Sequence, residues 1–289
     1  SRRAVIGAGL AGAVAGAVGA AAPLLDVPPA STLTPAGRAV EASNVAVVEA
    51  RPIAGLQRVV RWVPTTAPLV ALTVDDGPDA ELTPRLLDVL ARHGVRATFD
   101  VTGDAALRHP GLLREVVAAG HELGNHTRHH HDLAFLSDER IARELRDGVH
   151  AIEDVVQTPV PWFRPPRGSL PGAALRTAAE LGQDVLLWSV TRGPGDPGTP
   201  EMVRDHLLQS VRAGDVVGLH DGTGFWAAHP GSRQERALRE RRRVELAALP
   251  DVLAGLSDRG LRLVTAGALV ASLATRLLPQ QGPMVDTYR

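Results

Sequence analysis

Apolar and polar positions follow two alternating periods along this chain. Leu69–Val74 (L-V-A-L-T-V) is a nearly continuous apolar run, as expected of a strand buried on both faces. From Glu81 to Arg92 the spacing becomes helical, with Leu82, Leu86, Leu87, Val89 and Leu90 forming the apolar side and Gly94 the stop. The pairing then recurs. Ala97–Val101 predicts a strand, Gly111–Ala119 a helix stopped by Gly120, and His121–Gly124 a short strand. Ser137 caps a long helix through Val156, although Arg140 stands where a capping box prefers Glu. Further strands are predicted at Trp162–Arg164, Asp184–Val190, Asp215–Leu219 and Leu261–Val264, with helices at Pro171–Leu181, Pro200–Val211 and Arg233–Leu256 between them. About seven β/α units in roughly 200 residues predict an α/β fold with a parallel barrel or a near relative of one.

The flanks break this rhythm. Ser1-Arg2-Arg3-Ala4-Val5-Ile6 and the Gly/Ala-rich run to Ala22 are similar to a twin-arginine export signal, with small residues suited to cleavage around Ala20 to Ala22. An uncleaved membrane anchor is the rival reading, since Ala4–Ala22 is near the minimum of about 17 residues that can span a bilayer. Its weak hydrophobicity favours a removable signal. Both readings place the protein outside the cytoplasm, secreted or in the cell envelope. The chain is thus divided into an export signal or anchor (1–22), a Pro/Ala/Ser/Thr-rich linker with a lead-in strand (23–64), the folded domain (65–275) and a tail (276–289).

A hydrophobic content of 44% against 22% charged residues fits a soluble globular protein able to bury a sizeable core. The formal net charge of −1 gives no reason to expect nucleic acid as a partner. With no cysteine, disulfides and thiolate metal sites are excluded, so a zinc site would need histidine and carboxylate. The Arg-rich helix from Arg236 to Glu245, interleaved with Glu235, Glu240 and Glu245, reads as a solvated outer face.

Such ligands are concentrated in Gly120–His131, G-H-E-L-G-N-H-T-R-H-H-H. His126 and His130 stand four apart, and on a helical turn their rings would share a face with Cβ atoms roughly 5–6 Å apart. His129 and His131 read as solvent-facing or supporting groups. The other polar clusters fall at strand ends, where a parallel barrel carries its chemistry: Asp75-Asp76-Gly77-Pro78, Arg164 and His220-Asp221-Gly222. Adjacent carboxylates point in opposite directions on an extended backbone, so one of Asp75 and Asp76 can hold a metal while the other moves a proton. Two His and one Asp leave coordination positions open, as a catalytic site requires.

In order, Thr73-Val74-Asp75-Asp76-Gly77-Pro78, His126-Thr127-Arg128-His129-His130, Arg164-Pro165-Pro166-Arg167-Gly168 and Leu219-His220 resemble the motifs of the NodB-like polysaccharide deacetylases, carbohydrate esterase family 4. The resemblance spans roughly Leu69 to Leu269. It implies a distorted (β/α)7 barrel holding one divalent ion on Asp76, His126 and His130, with Zn2+ first and Co2+ or Ni2+ as alternatives. It further implies Asp75 as the base, His220 as the acid, Arg164 as the group orienting Asp75, and the backbone N–H of Arg167 as an oxyanion donor. Leu219 is expected to line the pocket for the acetyl methyl. Trp226 is a candidate sugar platform, and Trp188 belongs either there or in the core.

Two positions depart from the family pattern. Arg167 replaces an aromatic residue, and the Asp-Trp motif that would tune His220 appears as Gly193-Pro194, leaving Asp196 as a substitute. The implied activity is removal of acetyl groups from N-acetylated sugars of a cell-wall or chitin-like glycan by a monomer, touching a membrane only through an uncleaved N-terminal segment. With 3% aromatic residues, short oligosaccharides or single glycan strands fit better than crystalline polymer. The rivals are an O-acetyl esterase, such as an acetylxylan esterase, and a catalytically silent glycan-binding domain.

Overall fold

Period-two alternation in one strand sets out the interior of the protein. In β2 (Leu69–Asp75) all seven residues are buried. Val70, Leu72 and Val74 face the helices and join a cluster with Leu86, Leu90, Leu249 and Val252. The odd-numbered residues face inward. Leu69 and Ala71 pack with Trp162, Leu186 and Leu269 at the bottom, while Thr73 and Asp75 carry polar groups toward the C-terminal end.

The computed structural model describes residues 57–193 and 197–274. The segment read as an export signal or anchor, most of the linker, Pro194, Asp196 and the C-terminal tail lie outside the described residues. No helix among the described residues is long and apolar enough to cross a membrane. The remaining strands are β1 (Val59–Val60), β3 (Thr98–Val101), β4 (Glu122–Asn125), β5 (Trp162–Phe163), β6 (Asp184–Leu186), β7 (Val190–Thr191), β8 (Val216–His220) and β9 (Arg262–Val264). The helices are α1 (Leu82–Arg92), α2 (Gly103–Arg108), α3 (Pro110–Ala118), α4 (Asp138–Val156), α5 (Gly172–Glu180), α6 (Pro200–Ser210), α7 (Arg233–Asp258) and α8 (Ala266–Ala274).

The strand order is β1-β6-β5-β4-β3-β2-β8-β7, with β9 also on β2, and every pairing between these strands is parallel. Past β1, Trp62 bridges antiparallel to Asp215, and Val63 N–H donates to the Gly214 carbonyl at 2.8 Å. The lead-in segment therefore reaches the foot of β8. The result is the expected distorted (β/α)7 type, a curled half-barrel with helices outside.

Three elements differ from the sequence expectation. Asp184–Val190 is two strands rather than one, because the backbone between β6 and β7 turns to offer the Leu187 carbonyl to Arg164 at 3.1 Å. A six-residue helix, α2, was too short for its periodicity to register; it is capped by Thr102, which accepts from Ala105 N–H. Finally, α8 packs Ala266 and Leu269 under the barrel floor.

His121, one of the five clustered imidazoles, belongs to the fold rather than to the site. Ala97 N–H donates to its Nδ1 at 3.1 Å, so the ring must be neutral with its hydrogen on Nε2. Burial lowers its pKa to about 4, with Arg96 adding to the effect. The unfolded chain takes up this proton near 6.5 and the folded chain resists it until about 4, so the stabilising contribution is complete above 6.5 and is lost as pH falls through 4. Urea midpoints for His121→Gln should consequently fall less steeply between pH 6.5 and 4 than those of the parent chain. Parallel slopes would refute the assignment.

Candidate active site

Asp76 leaves the extended path of β2 with φ of 82°, its N–H donating to the Asp100 carbonyl at 3.2 Å. The two neighbouring carboxylates therefore reach the same cavity rather than opposite faces, which corrects the extended-backbone expectation. Glycine makes this turn sterically feasible. A Cβ on Gly222 would lie 2.5 Å from the Asp76 carbonyl oxygen, and one on Gly77 would lie 2.3 Å from the Asp221 carboxylate.

His126 follows β4, where its N–H donates to the Val101 carbonyl at 2.8 Å. Its Nδ1 is 2.8 Å from the Arg164 carbonyl, which can only accept, so the hydrogen sits on Nδ1 and Nε2 presents a lone pair. Burial lowers its pKa to about 4, keeping the ring neutral. The segment that follows is not helical. Thr127 and His130 adopt φ of 67° and 59°, and Thr127 Oγ1 accepts from His130 N–H at 3.1 Å. A folded-back loop, not the i,i+4 face of a helix, brings the two rings to 4.8 Å between centroids.

Both imidazoles aim Nε2 at Asp76 Oδ1, from 3.6 Å (His126) and 3.1 Å (His130). One ligand atom from each of the three residues lies within 4.8 Å of the others. Asp76 Oδ1 is buried without a hydrogen-bond partner, whereas Oδ2 accepts from Arg242 at 3.0 Å. An orphaned carboxylate oxygen is costly unless a cation completes it, so these residues fit a divalent ion. Burial alone would raise the Asp76 pKa, but His130 and then Arg242 hold it well below the usual carboxylate range.

Arg164, fully buried, spans the interior. Its Nε donates to the Leu186 carbonyl at 3.0 Å and Nη2 to that of Leu187 at 3.1 Å. Both Nη1 hydrogens go to Thr73 Oγ1 and Asp75 Oδ1, each at 2.6 Å. Asp100 Oδ2 lies 3.0 Å from the same nitrogen with no hydrogen left to take. Burial pushes the Asp100 pKa well up; Arg164 opposes this, while Asp75 adds to it. One guanidinium therefore serves both Asp75 and Asp100. The charged residue in the otherwise uncharged T-F-D-V strand was the overlooked signal for Asp100.

His220 ends β8. Its N–H and its ring Nδ1 both meet Glu245 Oε2, at 3.0 and 3.1 Å. The solvated reading of the Arg-rich helix is thereby corrected: Glu235, Arg242 and Glu245 are buried, and Arg239 and Arg243 pair with Asp79 and Glu81 in the loop after β2. Walking back from Leu256 through Val252 and Leu249 in steps of four and three reaches Glu245 and Arg242, so charged residues occupy the upper part of the buried stripe. That pattern could have revealed them. Asp221, noted in the sequence only as part of a strand-end cluster, is buried and accepts from Thr83 Oγ1 at 2.5 Å; burial raises its pKa to about 7.

A cavity of about 650 Å³ opens over these groups, lined among others by Asp75, Asp76, His126, His130, His220, Arg167, Trp188 and Trp226. Trp188 lies half-buried beneath the Arg164 guanidinium, 5.7 Å from carbon to ring centroid. Trp226 stands edge-on to Phe225 at 5.3 Å on the cavity wall. Arg167 is held at φ of 57° in the tight turn Pro166–Gly168. Leu219 is not brought to the cavity. Its neighbours Gly218 and His220 face inward, so alternation sends Leu219 outward into the helix-side core. His129 and His131 both bond Glu144 Oε1 through Nδ1 at 2.8 Å, bracing the loop that carries His130.

A curled parallel sheet whose strand ends gather an Asp-His-His group compatible with a divalent ion, a second carboxylate and a carboxylate-held histidine is the arrangement of an α/β-barrel hydrolase. Residues 63–186 match the polysaccharide deacetylase family. The chain is 36% identical over 214 residues to the peptidoglycan-N-acetylglucosamine deacetylase of Bacillus cereus, covering 73% of this chain and 92% of that one. It is 38% identical over 198 residues to the chitooligosaccharide deacetylase of Sinorhizobium fredii, covering 68% and 89%. Among solved structures, a peptidoglycan N-acetylglucosamine deacetylase superposes with a TM-score of 0.65 at 26% identity, covering 73% of this chain and 92% of that one. The chain belongs to the polysaccharide deacetylase family, hydrolases of carbon–nitrogen bonds other than peptide bonds.

Proposed function

We propose that the protein removes the acetyl group from N-acetylated sugars of a cell-wall or chitin-like glycan, using a divalent ion held by Asp76, His126 and His130. Zn2+ suits this ligand set, with Co2+ or Ni2+ as alternatives. The observation that carries the reading is the unpartnered Asp76 Oδ1 facing two imidazole nitrogens in a cavity that also holds Asp75 and His220. When bound, the ion supplies a Lewis acid that polarises the acetyl carbonyl and eases ionisation of water.

The remaining work falls to side chains. Asp75, oriented by Arg164, takes a proton from the attacking water. The Arg167 N–H donates to the oxygen on which charge develops. His220 then gives a proton to the nitrogen as the carbon–nitrogen bond breaks, releasing acetate and a free amine. Trp226 and Trp188 flank the sugar. The relatives named for peptidoglycan N-acetylglucosamine and chitooligosaccharides point to N-acetylglucosamine as the reacting unit. A glycan outside the cytoplasm also agrees with the export signal read in residues 1–22.

The test is acetate release by the zinc-loaded protein from an N-acetylglucosamine tetramer and, in parallel, from an O-acetylated xylo-oligosaccharide. The N-acetylated substrate should turn over faster, and Asp75→Asn should lower that rate by about 10²–10⁴-fold. Faster release from the xylo-oligosaccharide would favour the esterase, and sugar binding without acetate release would favour the silent binding domain.

A further inference from the structure

We propose that Glu245 is the positioning residue for His220, taking over from the middle of α7 the task expected of a carboxylate after the preceding strand. The inference rests on the reading of His220 as the acid. A carboxylate as buried as Glu245, 2% exposed, is costly on a helix face otherwise occupied by Leu249 and Val252 unless charge and hydrogen bonds compensate it. Both are present. Arg192 Nε and Arg242 Nη1 lie 3.2 and 3.3 Å from Oε1. The other oxygen, Oε2, meets both the backbone N–H and the ring Nδ1 of His220.

Two contacts from one oxygen to one residue fix both the backbone and the ring plane of that residue. An ionised carboxylate only accepts, so Nδ1 carries the hydrogen and Nε2 is the nitrogen left to exchange a proton in the cavity. As the carbon–nitrogen bond breaks, its electron pair stays on nitrogen, and that nitrogen takes the proton from Nε2. Glu245 gains no proton; its negative charge stabilises the imidazolium present before the transfer. Arg242, one turn earlier on the same face, donates to Asp76 Oδ2 at 3.0 Å and to the Gly222 carbonyl at 3.0 Å. One stretch of α7 thus braces both the metal-binding carboxylate and the acid.

The experiment compares the full zinc-loaded chain with Glu245→Gln, Glu245→Asp, His220→Ala and the Glu245→Gln/His220→Ala double variant. Probes are the N-acetylglucosamine tetramer and 4-nitrophenyl acetate, whose nitrophenolate leaves without needing a proton. For Glu245→Gln, kcat on the tetramer should fall about 100-fold with KM within about twofold, while the ester rate falls less than about threefold. Glu245→Asp should recover part of the loss, and the double variant should be no slower than His220→Ala alone. Equal losses on both probes, or an unimpaired Glu245→Gln, would overturn the proposal. NMR of 15N-labelled histidine supplies a readout independent of turnover: the parent should show His220 protonated at Nδ1, and Glu245→Gln should lose that tautomer preference. If the parent releases no acetate, the deacetylase reading fails, and the NMR comparison still decides whether Glu245 holds the ring.

Discussion

Arg164→Met is expected to destabilise the protein by about 3–5 kcal/mol and to eliminate acetate release, the cost typical of removing one partner from a buried ionic group. Methionine fills much of the same volume, so the loss is chiefly electrostatic. It would strip hydrogen bonds from Asp75, Thr73 and the carbonyls of Leu186 and Leu187, and leave the Asp75 and Asp100 carboxylates together without a positive charge. Arg164→Lys should not restore function, because a single ammonium cannot reach the acceptors that three guanidinium nitrogens now share. Adding Asp100→Asn to the methionine variant should recover part of the stability, since the second carboxylate is then gone. Urea denaturation of the three variants would measure this; a loss below about 1 kcal/mol in Arg164→Met would show that the buried ionic cluster is not what holds the upper barrel together.

His126→Ala should bring bound metal from about one ion per chain to near none and lower acetate release by about 10³-fold or more, the equivalent of several kcal/mol of charge stabilisation. His126 is buried, and the Arg164 carbonyl fixes the tautomer that turns Nε2 toward Asp76. Alanine would leave a two-ligand site. His129→Ala provides the contrast, because that ring bonds Glu144 instead of facing Asp76. Metal analysis after dialysis would compare the two. A full ion retained by His126→Ala would place the cation elsewhere, and His129, His131 and Glu144, whose ligand atoms also lie within 4.8 Å of one another, would be the group to examine.

Most of the barrel could be read from the sequence because its two periods are physically distinct. A strand covered on both faces needs an unbroken apolar run such as Leu69–Val74, and a helix lying on it needs the spacing seen from Leu82 to Leu90. Strand-end positions for Asp75, Asp76, His126, Arg164 and His220 followed from the same reading. What the sequence did not disclose depended on backbone turns or on distant partners. Positive φ at Asp76 and His130, not helical geometry, brings Asp76, His126 and His130 together. Glu245 was obscured because α7 changes character along its length: its last turns bury leucine and valine, while the same stripe nearer its start buries an ion pair that local composition assigns to solvent. Leu219 was misplaced by following a motif instead of the alternation of its own strand.

The bridge from Trp62 to Asp215 bears on how the folded part can be excised. The sequence rhythm begins at Leu69, and a cut at residue 65 would look clean on that basis, yet it would remove a stave from the wall and uncover the hydrogen-bonding edge of β6, to which Val59 and Val60 are paired. An uncovered strand edge invites pairing with other chains. A trimmed version of this protein should therefore start upstream of Gln57, and one starting at 65 should clump in solution even with every reacting group in place.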